Sequence, residues 1–260
     1  MQQSDNVMRA SFTAQAAGYA SSAVISDADR LARLVRLINP PPETRALEVA
    51  TGPGYVAEAL AAVCREVIGI DLTPAPLAIA ERRRVERGLT NLHFELGNAR
   101  ALPFGDNAFD LVVCRYAFHH FPEPDLVLAE MARVCRINGI VAVEDMIASE
   151  HPERAAYLNR YEQLRDPAHA QALPFSRFAM LFAGAGLEVE TIMTASLLQD
   201  AEEWLKRGFP ASDADAAEAR AMIERDAQDD LSGTRPFDDE GRLKFRQRTA
   251  IMIGRKLARE

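Results

Sequence analysis

Residues 47–54 read Leu-Glu-Val-Ala-Thr-Gly-Pro-Gly, a short apolar stretch with an acid inside it and two glycines two apart. Such a stretch turns a strand into a helix and brings its backbone close to a ligand. Gly52 and Gly54, with Ala57 in the third place, fit a dinucleotide loop, but the pattern alone also fits a phosphate, another nucleotide-like ligand or none. Two acids narrow the choice. Glu48 lies four residues before Gly52, at the strand's end, where it can point into a ligand crevice. Asp71 closes VIGID nineteen residues after Gly52, where a carboxylate can accept hydrogen bonds from both hydroxyls of a ribose. Its plainer role would be to cap the helix that begins near Pro74. Asn98 and Ala99 follow LHFEL, so a side chain and a backbone N–H can meet the edge of an adenine.

The apolar run ends at Ala50-Thr51, so the loop opens without a stretch of backbone amides dedicated to a phosphate. S-adenosylmethionine (SAM) carries no phosphate. It needs close backbone approach for its amino-acid part, an acid for its ribose and edge contacts for its adenine. These residues supply all three, and SAM is the expected ligand ahead of a nicotinamide dinucleotide.

The methyl of a sulfonium is already activated. What remains is alignment for in-line attack and, for an O–H or N–H acceptor, removal of a proton. The acceptor should lie above the C-terminal edge of a parallel sheet, beside CRYAFHHF at 114–121. There Arg115 can reach the methionine carboxylate or an anionic substrate, unless it forms only a surface salt bridge. His119 and His120 are consecutive and should face different ways, so at most one enters the site as base or donor; packing or capping is the alternative for both. His93 sits in a strand and reads as structural.

Alternating apolar runs and helical patterns must hold these groups in place. Strands are expected at 46–50, 67–71, 92–96, 109–114 and 140–146, with helices at 55–63, 75–87 and 124–135 between them. The first of these helices puts Val56, Ala59, Leu60 and Val63 on one face, and Asn138-Gly139 supplies a helix stop before the fifth strand. That alternation implies βαβ units and a buried parallel sheet. Pro40-Pro41-Pro42 sets off a helix at about 27–38. Later, helices are expected at 152–164, 174–185 and through most of 199–230, and strands at 187–195 and 243–256.

The bulk properties exclude some functions. The 260 residues carry a net charge of −8, which disfavours a sequence-independent grip on nucleic acid. Cys64, Cys114 and Cys135 have no metal-ligand spacing and read as reduced residues, with no metal expected. There is no secretory pattern or run of membrane-span length, so a cytoplasmic location is expected.

Taken together, LEVATGPG, GIDLTP, GNARALPF, FDLVVCRYAFHHF and ARVCRINGIVAVED resemble, in order and spacing, a class I SAM-dependent methyltransferase of the ubiquinone/menaquinone type, also called methyltransferase type 11. The resemblance implies a Rossmann-like α/β fold: a mostly parallel seven-stranded sheet with helices on both faces, an antiparallel last strand and helical lid insertions. It implies one domain over 1–260, with a helical cap at 1–42, a cofactor core at 45–146 and insertions at 147–172 and 196–242. Glu48, Ala50, Thr51, Gly52, Gly54, Asp71, Leu72, Asn98, Ala99 and Arg115 would hold SAM and its product S-adenosylhomocysteine. Phe12, Gln15 and Tyr19 match the segment that folds over the cofactor in these proteins. Arg160, Arg165, Asp166 and His169 form a polar cluster in NRYEQLRDPAH that could cover an acceptor pocket, although a solvated helix would look the same. His119, His120 and Tyr19 are the catalytic candidates. Family members usually carry glycine at the place of Ala50 and often aspartate at that of Asn98. The expected reaction is methyl transfer to O, N or C of a small molecule by a monomer or homodimer. The rivals are a SAM-binding protein with a non-methylating reaction, a binding module and a nucleic-acid methyltransferase. The last lacks an Asn/Asp-Pro-Pro-aromatic motif here.

Overall fold

The computed structural model describes residues 2–20, 22 and 24–258, except for the side chains of 2–7, 17, 19 and 20. The elements run α1 (Gln2–Ala20), α2 (Ala28–Ile38), β1 (Arg45–Val49), α3 (Tyr55–Ala61), β2 (Glu66–Asp71), α4 (Pro74–Glu86), β3 (Leu92–Leu96) and β4 (Phe109–Arg115). After a 3-10 turn at Phe118–His120 come α5 (Pro124–Val134), β5 (Cys135–Ala148), α6 (Pro152–Arg165), the short β6 (Leu173–Pro174), α7 (Phe175–Gly184) and β7 (Leu187–Asp200). The chain closes with α8 (Ala201–Lys206), α9 (Asp213–Asp229), the short β8 (Phe237–Asp239) and β9 (Arg242–Lys256).

The main strands lie in the order β3-β2-β1-β4-β5-β9-β7. β1 to β5 pair in parallel, and β9 runs antiparallel between β5 and β7. β6 and β8 are additions off that path. The first strands read as continuous apolar runs because helices cover both faces. On one face Leu47, Val49, Val112 and Val143 pack with Leu128 and Met131 of α5 and Phe178 and Phe182 of α7. On the other, Ala46, Val67, Leu111 and Val113 pack with Leu34 of α2 and Val56 and Leu60 of α3. A third core of Met146, Tyr161, Trp204, Met222 and Phe245 joins α6, α8 and α9 to the far ends of β5 and β9.

Two local expectations need correcting. Helix α5 ends at Val134, and Asn138-Gly139 forms an irregularity inside the fifth strand instead of the helix stop. Asn138 takes φ 61°, and a Cβ on Gly139 would stand 2.9 Å from the Asp110 carbonyl oxygen, so the chain turns here against its neighbour. Helix α3 stops at Ala61, which leaves Val63 41% exposed and outside the apolar face assigned to it.

The registers bring the strand ends that carry chemistry to one edge. Val49 pairs with Ile70 and Cys114, and Arg115 pairs with Glu144. Just past that edge Ala50 takes φ 56°, a left-handed conformation that costs an L residue about 1–2 kcal/mol. The loop therefore carries strain at Ala50. Ala50→Gly relieves it, partly offset by the greater entropy of the unfolded glycine chain. Urea unfolding should show the variant more stable by up to about 1 kcal/mol.

Candidate functional site

A cleft opens outside the carboxyl ends of β1, β2 and β4, where ligands bind in open α/β sheets. It holds about 1110 Å³ of empty space. Its floor is the loop read first in the sequence. The Thr51 N–H donates to the Ile70 carbonyl at 2.9 Å, and Gly54, at φ 84°, starts α3. A Cβ on Gly54 would stand 2.7 Å from Phe94 Cζ, so glycine is required there by space as well as by φ. A Cβ on Gly52 would meet nothing within 4 Å, because this side of the loop faces the open cleft.

Glu48 is buried and lines the cleft, accepting from Thr51 Oγ1 at 2.5 Å and from the Ala57 N–H at 2.8 Å. Burial pushes its carboxyl up to about 8, against the pull of those two donors. Asp71 Oδ2 accepts from the Gly52 N–H at 2.9 Å and Oδ1 from the Thr73 N–H at 2.8 Å. One carboxylate thus fixes the loop and the turn that leads into α4. Burial raises its pKa, and the amides pull the other way. Asn98 Oδ1 accepts from the Arg100 N–H at 2.9 Å, which turns the segment carrying Ala99 along the cleft wall. Ala50, Leu72 and Phe12 line the same cleft.

Arg115 is buried at the cleft's inner end. Its Nε donates to Glu144 Oε2 at 2.8 Å and its Nη1 to the Ile25 carbonyl at 2.9 Å. Arg30 Nη2 reaches the other Glu144 oxygen at 3.2 Å and the Tyr116 hydroxyl at 2.6 Å. Nη2 of Arg115 is buried and has no hydrogen-bond partner among the described residues. Two guanidiniums on one carboxylate leave a positive charge, and that nitrogen would meet a carboxylate in the cleft. The open side of Gly52, the acid at Asp71 and this unpartnered nitrogen fit the loop, ribose and amino-acid parts of SAM.

Behind the 3-10 turn the three histidines His119, His120 and His169 cluster. The His119 and His120 rings lie 4.0 Å apart, and those of His119 and His169 lie 5.6 Å apart. His119 Nδ1 is 2.6 Å from Asp145 Oδ1, and the His119 N–H donates to Asp145 Oδ2 at 3.2 Å. Burial disfavours the charged His119 ring, but the Asp145 carboxylate outweighs it, with Glu162 and Asp166 adding to the effect, and the pKa rises. His120 Nδ1 lies 3.0 Å from the Ala168 carbonyl, and burial beside His119 pushes its pKa down to about 4. His169 Nε2 lies 2.7 Å from Asn159 Oδ1, and burial pushes its pKa to about 2.

These residues divide between two adjoining cavities instead of converging on one. His120 and Arg115 line the large cleft, and His119 lines a second cavity of about 660 Å³ of empty space with Glu162, Arg165 and Gln247. Ile25 and Tyr116 line both. His169 is buried behind them. Arg160 is exposed and lines neither cavity. Gln15 is buried on the inner side of α1, where its Nε2 donates to Asp166 Oδ2 at 3.1 Å while Ser11 donates to Oδ1 at 3.0 Å. The side chain of Tyr19 lies outside the described residues. Sequence reasoning missed Glu144, Asp145, Arg30, Tyr116 and Glu162. The signal for the first two was available, since VAVEDM places adjacent acids at the end of an apolar strand. The cysteines are free and buried, and burial pushes the Cys64 thiol to about 11 and the Cys135 thiol to about 12.

Residues 47–143 match the methyltransferase domain family. YcgJ of Bacillus subtilis, named an uncharacterized methyltransferase, is 31% identical over 202 residues, covering 78% of this chain and 80% of YcgJ. The YcgJ crystal structure superposes with a TM-score of 0.83, over 88% of this chain and 98% of that one, at 26% identity. A protein of Bacillus halodurans named for the same activity gives a TM-score of 0.82 at 28% identity, over 88% of this chain and 99% of its own. Demethylmenaquinone methyltransferase of Thermus thermophilus is 41% identical over 101 residues, covering 38% of this chain and 46% of that enzyme. The chain belongs to the class I SAM-dependent methyltransferases.

Asp71→Ala removes a charge-assisted acceptor from the cleft and two anchors from its loop. Calorimetry should show S-adenosylhomocysteine binding weakened by at least ~1 kcal/mol. An unchanged affinity would leave Asp71 only its hold on the Gly52 loop and the turn before α4.

Proposed function

We propose that the protein methylates an O–H or N–H group of a small molecule held in the second cavity, with His119 as general base. The observation that carries this reading is the 2.6 Å His119–Asp145 contact, in a ring that lines a cavity adjoining the cofactor cleft. Asp145 holds Nδ1 as the donor, which leaves Nε2 to accept a proton. His120 stays neutral at physiological pH and, with Phe12 edge-on at 4.8 Å, walls the cofactor cleft.

In this reading Asp71 and the Gly52 loop receive the nucleoside, Asn98 and Ala99 the adenine edge, and Arg115 Nη2 the amino-acid carboxylate. When bound, SAM supplies an electrophilic methyl on a sulfonium and leaves as a neutral thioether, S-adenosylhomocysteine. The chain's own task is to place the acceptor in line with that methyl. His119 Nε2 takes the acceptor's proton as the new O–C or N–C bond forms, and Asp145 stabilises the resulting imidazolium. Segments 1–42, 147–172 and 196–242 act as covers over the two cavities and exclude water. No described helix is long and apolar enough to cross a membrane, and we place the enzyme in the cytoplasm.

The pH dependence follows from the sign of the shift. A base works only when neutral, and Asp145 raises the pKa of His119 above its ordinary 6.5. kcat/KM should therefore be low at acid pH and climb through an inflection above 6.5. Asp145→Asn removes the carboxylate and leaves burial to dominate, so the inflection should move to lower pH. His119→Ala should lower turnover by about 10²–10⁴-fold with SAM affinity kept. The assay is mass spectrometry of acceptors incubated with labelled SAM. A neutral His119→Ala would point to a carbon acceptor, or to a proton lost to water.

A further inference from the structure

The cavity that His119 lines also has a wall built around one guanidinium. Arg165 closes α6 and is held on several sides. The Phe209 N–H donates to its carbonyl at 2.9 Å, and a Cβ on Gly208 would stand 2.4 Å from its Cγ, so only glycine lets the chain pass there. Its Nε donates to the Trp204 carbonyl at 2.9 Å, and its guanidinium carbon lies 4.5 Å from the centroid of the Trp204 ring. Nη1 stands 3.5 Å from Glu162 Oε2. Among the described residues, Nη2 has no partner.

The acceptor atoms of the same wall are already engaged. Arg207 Nη2 donates to Gln199 Oε1 at 2.8 Å, Gln199 Nε2 to Gln247 Oε1 at 3.0 Å, and Gln247 Nε2 to Glu162 Oε1 at 3.3 Å. Each bond runs donor-first toward Glu162, whose two oxygens face Gln247 and Arg165. Among the described residues Arg165 Nη2 makes no hydrogen bond, so this part of the wall asks for a ligand that accepts. An amine would have to compete with Arg165 for Glu162, whose burial already disfavours its charge. Val24, Ile25, Met146 and Leu197 supply the apolar remainder of the lining.

We propose that this cavity binds a carboxylate-bearing acceptor: an apolar body with the carboxylate on Arg165 and the nucleophilic O–H or N–H at His119. This rests on the cavity being the acceptor site. A pinned guanidinium edge matches a carboxylate by two parallel hydrogen bonds and loses little side-chain entropy on binding.

Trp204 is the only tryptophan in the chain and lines the cavity, so its fluorescence reports occupancy directly. The full-length protein, saturated with S-adenosylhomocysteine, is titrated with benzoate, benzamide and benzylamine. Benzoate should give a saturable change at a concentration at least tenfold lower than either neutral benzamide or cationic benzylamine. Arg165→Gln should bring benzoate to the level of benzamide. Arg165→Lys, which keeps the charge and gives up the planar fork, should weaken benzoate by about tenfold. Tightest binding of benzylamine overturns the inference, as do equal affinities of benzoate and benzamide, no response to benzoate, or variants that leave benzoate unchanged. Calorimetry with S-adenosylhomocysteine on the same sample separates the two readings. Product binding without benzoate binding ends this inference alone, whereas loss of product binding counts against methyl transfer.

Discussion

The site hangs on one buried carboxylate. Glu144, fully buried at the end of β5, takes Arg115 on one oxygen and Arg30 on the other, with the Tyr116 hydroxyl 3.3 Å from Oε1. A carboxylate in such a place is costly unless its charge is matched and its lone pairs filled. Two guanidiniums do both, and so they commit three separate stretches of chain to one geometry. Arg30 brings α2 onto the sheet edge, and Arg115 holds the Ile25 carbonyl. The Tyr116 N–H donates to the Glu144 carbonyl at 2.7 Å, with Tyr116 in a left-handed conformation at φ 52°. The partition between the cavities, Ile25 and Tyr116, is fixed by that cluster. Loss of Glu144 would leave two buried cations facing each other and no partition.

The histidines show how little separation a fold needs to give identical side chains different chemistry. His119, His120 and His169 share one small volume, yet among them only His119 is hydrogen-bonded to a carboxylate. Its charge, when present, and the shared burial hold the other two neutral. The neighbouring Asp166 faces α1 instead, where Ser11 and Gln15 occupy its oxygens. The same acid thus ties the N-terminal helix, which carries Met8 and Phe12 over the cofactor cleft, to the end of α6.

Much of the cofactor half was legible in the chain itself. Its contacts come from loops that follow strands, and a strand–loop–helix unit is local: LEVATGPG, GIDLTP and GNARALPF each carry their own geometry in glycine spacing and apolar runs. The five strands and three helices of the core were readable for the same reason. The Asn138-Gly139 turn was misplaced because a left-handed residue stops a helix or kinks a strand equally well, and only the pairing of β4 with β5 decides between them.

The surroundings of the second cavity were legible only in part. Sequence marked His119, Arg165 and His169 as polar residues in suggestive places, but could not say that Arg160, on the same helix as Arg165, would point to solvent. Nor could it pair His119 with Asp145, 26 positions away, since that contact depends on the register of neighbouring strands. Residue types and their local spacing determined the α/β core, the family and the cofactor loop, because backbone conformation is set by near neighbours. Tertiary structure decided which buried charges meet, which histidine keeps a titratable nitrogen and where one cavity ends and the next begins. Those follow from desolvation and from contacts between residues far apart in the chain.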